Sequence, residues 1–312
     1  MAGIYPETEL MKVKVWGVRG SIPTPGESTI KYGGNTPCLH IEVPTGAGAE
    51  PGATIVFDAG TGIRPLGDSL LKQYSNGQPM SIYLFLTHLH WDHIQGLPFF
   101  SPMYRAQTRL RLYGSDQKNI EEMLLHQLHP DHFPVSLEDD DIKAEFEFNP
   151  LKGPVKIGPI TIRHHYVNHV PAGTVVGFRA DSKEGSLVYI PDNEPYGFES
   201  KLGCAADPRR RDDERGLIEF VRNADVMFFD TMFTEDDYQQ YKGWGHSPVE
   251  YALEVAVEAG VKSLGLFHYA PTRKDEEIDR FVEYYAPKAR ERGVEVFASR
   301  EGMVLDIGRK DS

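Results

Sequence analysis

Residues 86–93 read LTHLHWDH, which places three of the chain's 12 histidines and one aspartate within six consecutive positions. The stretch follows SIYLF (81–85), an apolar run with the length and character of a buried strand. Side chains two apart on a strand share a face, so His88 and His90 converge where the strand ends. The next residues, WDHIQGL (91–97), resemble a helix start and bring Asp92 and His93 toward the same cavity from another direction. Imidazole and carboxylate donors without a thiolate suit Zn²⁺, and also Mn²⁺ or Fe²⁺, with positions left open for water. The pattern predicts a metal centre assembled between a strand end and a helix.

Composition narrows the setting. Only Cys38 and Cys204 are present, so no disulfide framework forms and a metal site must draw on His, Asp and Glu. The opening MAGIYPETELMKVKV lacks a basic start followed by an apolar segment, and no apolar stretch approaches eighteen residues. The expectation is a soluble, cytoplasmic protein without a membrane partner. With 33 Lys+Arg against 46 Asp+Glu the net charge is -13, which disfavours binding of an extended nucleic acid. The basic run at 209–211 is flanked by Asp207, Asp212, Asp213 and Glu214 and reads as a self-neutralised loop.

Strand-like segments fall at 12–18, 38–43, 54–60, 81–88, 109–114, 160–167, 174–180 and 186–192, and later at 225–230, 262–268, 293–298 and 302–307. Helical patterns at 216–223, 247–259 and 275–292 interleave with the later strands, and Ser247 before Pro248 and Glu250 predicts a capped helix start. Two stacked sheets with helices on their outer faces are expected, as one domain over 1–312. No repeat of constant period divides the chain. The stretch 115–150, with a helical QKNIEEMLLHQL and an acidic LEDDD turn, is expected to be an inserted flap.

THLHWDH resembles the HxHxDH motif of the metallo-β-lactamase fold superfamily, and the resemblance covers about residues 12 to 307. Further features of that family occur in order: Asp58 in VFDAGTG, His169 in YVNHVPAG, Asp192 in LVYIPDNE and His268 in LGLFH. The resemblance implies an α/β fold, a four-layer αβ/βα sandwich of two mixed β-sheets with outer helices. It implies two divalent metal ions, preferably Zn²⁺. One would be held by His88, His90 and His169, the other by Asp92, His93 and His268, with Asp192 bridging and Asp58 orienting a ligand. GWGHSPVE resembles the HST-type motif of the phosphodiesterase branch, which includes RNase Z and phosphonate-pathway cyclic phosphodiesterases, though Pro248 stands where threonine is common. That branch implies His246 as general acid with Asp230 as its acidic partner. The opening WGVRGSIPTPGE and YGGNTPC resemble the start of bacterial members, whose loop makes Arg19, Ser21 and Asn35 candidate substrate contacts.

Other histidines carry no such pattern. His40 reads as a half-buried packing residue, while His164 and His165 face opposite sides of one strand. His126, His129 and His132 suit a solvated edge. Trp91 and Trp244 read as packing beside the site.

The expected activity is phosphodiester hydrolysis of a small, cyclic-nucleotide-like substrate, by metal-generated hydroxide with His246 protonating the leaving oxygen. Alternatives are an RNase Z-like ribonuclease, which the acidic charge and the want of a Gly/Pro-rich arm disfavour, and a carbonyl hydrolase of the lactonase, thioesterase or β-lactamase type. A catalytically silent metal-binding protein is the non-enzymatic alternative. The oligomeric state is left open, a homodimer included.

Overall fold

The computed structural model describes residues 10–44, 48–75, 77–137, 140–169, 174–196 and 208–308, with no side-chain description at 117 and 208–211. Cys204 lies outside the described residues, as do the side chains of the basic run at 209–211. Strand β1 is Met11–Gly17, β2 Cys38–Glu42, β3 Ala53–Phe57, β4 Met80–Phe85, β5 Thr108–Gly114 and β6 Glu145–Pro150. They are followed by β7 Val155–Ile157, β8 Ile160–Val167, β9 Val175–Asp181, β10 Ser186–Ile190, β11 Val226–Asp230, β12 Ser263–Phe267, β13 Glu295–Ala298 and β14 Val304–Ile307. The helices are α1 Ile63–Gln73, α2 Trp91–Ile94, α3 Gln117–Gln127, α4 Pro208–Val221, α5 Glu235–Tyr241, α6 Val249–Ala259 and α7 Asp275–Glu291.

The strands form two seven-stranded sheets, ordered β14-β1-β2-β3-β4-β5-β6 and β13-β12-β11-β10-β9-β8-β7. Both are mixed in the same way. The run β14-β1-β2-β3 and the run β7-β8-β9-β10 pair antiparallel, whereas β3 to β6 and β10 to β13 pair parallel. The two sheets share a plan without sharing a sequence period, and they give the expected α/β sandwich.

β4 shows why the sheets stack. Met80, Ile82 and Leu84 join the core beneath the helices, while Tyr83 and Phe85 enter the core between the sheets. A strand buried on both faces reads as an unbroken apolar run, which is what SIYLF is. Between the sheets Phe57 stacks on Phe178 and Tyr189, with ring centroids 5.2 and 5.6 Å away, and Phe267 packs edge-on to Tyr189. This aromatic layer is the floor beneath the strand ends. The carboxyl ends of β3, β4, β8, β10, β11 and β12, or the loops that leave them, carry Asp58, His88, His169, Asp192, Asp230 and His268 in that order, the end at which open α/β sheets build their sites.

Several elements depart from expectation. The stretch 115–150 is not simply an inserted flap: α3 is the crossover between β5 and β6, with Ile120 and Leu124 fully buried. β6 pairs in parallel with β5 at the sheet edge, and its EFEF alternation reflects Glu145 and Glu147 meeting Arg109 and Arg111 on β5. β7 and α1 are further elements outside those expected, although Ile63, Leu66 and Leu70 of α1 recur at helical spacing and are buried. Ser247 does not cap α6; the N-cap is Pro248 without a side-chain bond, and the Ser247 hydroxyl donates to the Asn193 carbonyl instead.

His40 is fully rather than half buried, with Nε2 bonded to the Thr54 hydroxyl across β2 and β3. Burial, with Lys14 nearby, lowers its pKa to about 4. A depressed imidazole stabilises the fold fully above its unfolded value of about 6.5, and this stability is lost as pH falls toward 4. Between pH 7 and pH 5 the loss from His40 is expected to be about 2 kcal/mol. Urea unfolding at both values should show a smaller difference for His40→Gln; an equal difference in variant and parent would contradict this.

Candidate metal centre

β4 ends at Phe85, and the chain then presents Thr87, His88 and His90 before α2 begins with His90 as its N-cap. His88 is buried and His90 exposed. His169, just past β8, brings Nε2 to 3.2 Å from His90 Nδ1. His88, His90 and His169 thus form one group whose donor atoms could hold an ion, and Asp92, His93 and His268 form a second. Asp192 lies between them: its Oδ2 is 2.9 Å from His93 Nε2 and 3.6 Å from His268 Nε2, and its Oδ1 is 3.8 Å from His169 Nε2.

The donors fit divalent cations. His88 Nε2 is buried without a hydrogen-bond partner, which costs about 1–3 kcal/mol unless a cation satisfies it; His93 Nε2 and Asp192 Oδ2 are buried 2.9 Å apart without hydrogen-bond geometry. The histidines and carboxylates suit Zn²⁺ or a neighbour in the first transition row. Burial works to raise the Asp192 carboxyl, but His268, His93, His169 and His88 outweigh it and hold the group well below its ordinary range.

Asp58 orders the second group from behind. Its Oδ2 lies 2.8 Å from His93 Nδ1 and accepts from the Tyr189 hydroxyl, and its Oδ1 accepts from the Thr87 backbone. Asp92 accepts from the Ser21 N–H at 2.7 Å and lies 3.1 Å from His268 Nε2. Ser21, Asp58 and His268 adopt left-handed backbone angles, with φ of 65°, 59° and 61°. Such angles cost non-glycine residues about 1–3 kcal/mol each and gather where function requires a side chain to be aimed.

His246 approaches from the other side. Its Nδ1 is 3.0 Å from Asp230 Oδ2 and 3.5 Å from Asp192 Oδ1, and Nε2 makes no hydrogen bond among the described residues. Burial lowers the pKa of His246 and raises that of Asp230 well above the usual carboxylate range. Asp230 is held by the backbone N–H groups of Asn193, Met232 and Ser247. The loop before His246 is anchored by Glu194, which accepts from the Tyr238 hydroxyl and from the N–H groups of Gly243 and Gly245. Gly245 then accepts from His169 Nδ1 at 2.7 Å. Its φ of +89° and a Cβ position 2.3 Å from His169 Nδ1 admit only glycine. Glu194 was missed in the sequence reading, although it lies only two residues beyond Asp192.

The N-terminal loop departs from its expected role. Arg19 is fully buried; its guanidinium donates to the carbonyls of Gly33 and Arg273 and faces Asp275, so it clamps the fold and does not meet a substrate. The Asn35 amide donates to Glu301, which also accepts from the Asn35 N–H. Ser21 alone of the three reaches the site, through its N–H. His126, His129 and His132 are exposed and join none of the potential metal groups among the described residues. Trp91 and Trp244 are largely exposed and do not pack the site's walls. Among the described residues no helix is long and apolar enough to cross a membrane.

Residues 53–269 match the family described as Beta-lactamase superfamily domain. Ribonuclease Z of Thermoplasma acidophilum is 28% identical over 269 residues, covering 75% of this chain and 85% of that protein. Yeast PDE1 superposes with a TM-score of 0.65 at 15% identity, over 96% of this chain and 99% of that one. The metallo-beta-lactamase fold protein YhfI of Bacillus subtilis gives 0.62 at 21% identity, over 95% and 99%. Sheet order, strand-end histidines and the matched span agree: the chain belongs to the β-lactamase superfamily domain family and is a metal-dependent hydrolase of the metallo-β-lactamase fold.

Proposed function

We propose that the protein is a dinuclear phosphodiesterase acting on a small, cyclic-nucleotide-like diester. The observation that carries this reading is His246, held at Nδ1 by Asp230 beside Asp192. A diester releases an alkoxide that needs a proton, and an imidazole fixed at one nitrogen can hold that proton on the other. His88, His90 and His169 would hold one divalent ion and Asp92, His93 and His268 the other, with Asp192 shared and Zn²⁺ the preferred metal. When bound, the ions supply Lewis acidity, providing a nucleophile at neutral pH and neutralising charge at phosphorus.

The chain's own groups do the rest. Asp58 fixes the ring of His93, Glu194 and Gly245 fix the ring of His169, and Asp230 fixes that of His246. We take 1–312 as one catalytic unit working in the cytoplasm, in keeping with the small number of cysteines. A second reading, endonucleolytic processing of a structured RNA, is supported by the relatives named Ribonuclease Z, while the net charge of -13 weighs against it.

The test is turnover of bis-p-nitrophenyl phosphate and a panel of cyclic nucleotides by Zn²⁺-, Mn²⁺- or Fe²⁺-loaded protein, beside a precursor-tRNA substrate. Diester turnover abolished by chelation and restored by metal is expected. Turnover of lactones or thioesters with no diester cleaved under any metal would overturn the reading, and preference for the precursor tRNA would favour the second.

A further inference from the structure

A cleft of about 460 Å³ opens beside the metal centre, with His88 in its wall. It lies between the carboxyl ends of β4 and β5, the first turn of α3 and the end of β8, and its volume falls in the range of small-ligand sites, about 300–1,000 Å³. His88 is thus shared by cleft and metal centre: its ring lines the cleft, and its buried Nε2, without a hydrogen bond, belongs to the proposed metal group.

The walls offer an unusual combination. Tyr166 is 56% exposed; its ring meets that of His164 edge-on, with centroids 5.9 Å apart, and keeps exposed surface for a flat partner. Ser115, Asn119 and Thr174 line the same cleft, and their side chains make no hydrogen bond among the described residues. Asp116 also faces the cleft, with its carboxylate accepting the Lys118 N–H at the start of α3. An amide presents two donors and an acceptor in one plane, the complement of a nucleobase edge, while a phenol ring stacks on any base face. Among the described residues no cationic side chain lines the cleft, and Asp116 does, so these walls suit a neutral planar group better than a second phosphate.

We infer that this cleft holds the nucleobase of the substrate, stacked on Tyr166 and read along its edge by Asn119, while the phosphodiester lies at the metal centre. The inference rests on the phosphodiesterase reading above and deepens it: the substrate is a mononucleotide-sized diester whose base, not only its phosphate, is recognised. Tyr166 and Asn119 are then specificity residues that touch the substrate away from the reacting atoms.

Equilibrium binding tests this without turnover. Adenosine, guanosine, cytidine and uridine 5′-monophosphates and inorganic phosphate are titrated by calorimetry into the zinc-loaded full chain. At least one nucleotide is expected to bind about tenfold or more tighter than phosphate, the scale of a base–aromatic stack. Tyr166→Ala should remove that margin, Tyr166→Phe should keep it, and Asn119→Ala should narrow the preference among bases. Four nucleotides binding no tighter than phosphate, or a margin that survives Tyr166→Ala, would overturn the inference. A margin seen in a protein that cleaves no diester would overturn the phosphodiesterase reading and leave the base site standing. Diester cleavage without a margin would do the reverse.

Discussion

Replacing His246 by alanine is expected to lower kcat on a diester with an alkyl leaving group by about 10²–10⁴-fold, the usual contribution of a positioned general acid. The loss on bis-p-nitrophenyl phosphate should be much smaller, because p-nitrophenolate departs readily without a proton. Metal content should stay near that of the parent, since the two proposed metal groups keep all their donors without His246. Asp230 would then be left without its ring partner but with its three backbone donors. The contrast between leaving groups is the informative measurement. Equal losses on both substrates would mean that the ring acts through structure, and unchanged kcat on the alkyl diester would remove His246 from the mechanism. A variant that loses diesterase activity but retains lactonase activity would favour the carbonyl-hydrolase alternative.

Replacing Asp192 by alanine is expected to have the larger effect on metal binding. Its two oxygens face His93, His268, His169 and His246, so its carboxylate touches both proposed metal groups. Loss of a carboxylate that merely orients a ligand costs about 10–100-fold in metal affinity, and loss of this shared one should exceed that. Elemental analysis should show fewer than two ions per chain where the parent holds two, with diester turnover falling at least about 100-fold. Metal binding stabilises the folded state in proportion to affinity, so the rise in Tm on adding Zn²⁺ should shrink in the variant. Two ions per chain and an undiminished Tm rise would remove Asp192 from the shared position.

Much of the architecture was legible because it is locally encoded. The apolar run before LTHLHWDH marks a strand buried on both faces, and the turn into WDHI marks the short helix that follows. Most other strands show the same switch from apolar residues to Gly, Pro or Asp. What escaped was encoded in charge and in pairing. The EFEF of β6 alternates as a half-buried strand does but falls within the expected flap; its glutamates meet arginines on β5. Arg19, Ser21 and Asn35 stand close together in sequence, but the fold turns Arg19 inward and pairs Asn35 with Glu301, leaving Ser21 at the site.

By itself, the sequence determined that His88, His90, Asp92 and His93 could converge, because side-chain direction along a strand end and a helix start depends on neighbours within one or two turns. The order of the later motifs also identified the sandwich. The resemblance named distant groups for the site, and only the tertiary structure decided how they meet and that Tyr189 and Glu194 join them. His268 meets Asp92 across 176 positions of chain, Tyr189 reaches Asp58 across 131, and Glu194 holds the loop of His246 across about 50. Such contacts are set by the stacking of two sheets, and no local pattern records them. The same stacking places Tyr166 of β8 and Asn119 of α3, far apart in sequence, around one cleft beside His88.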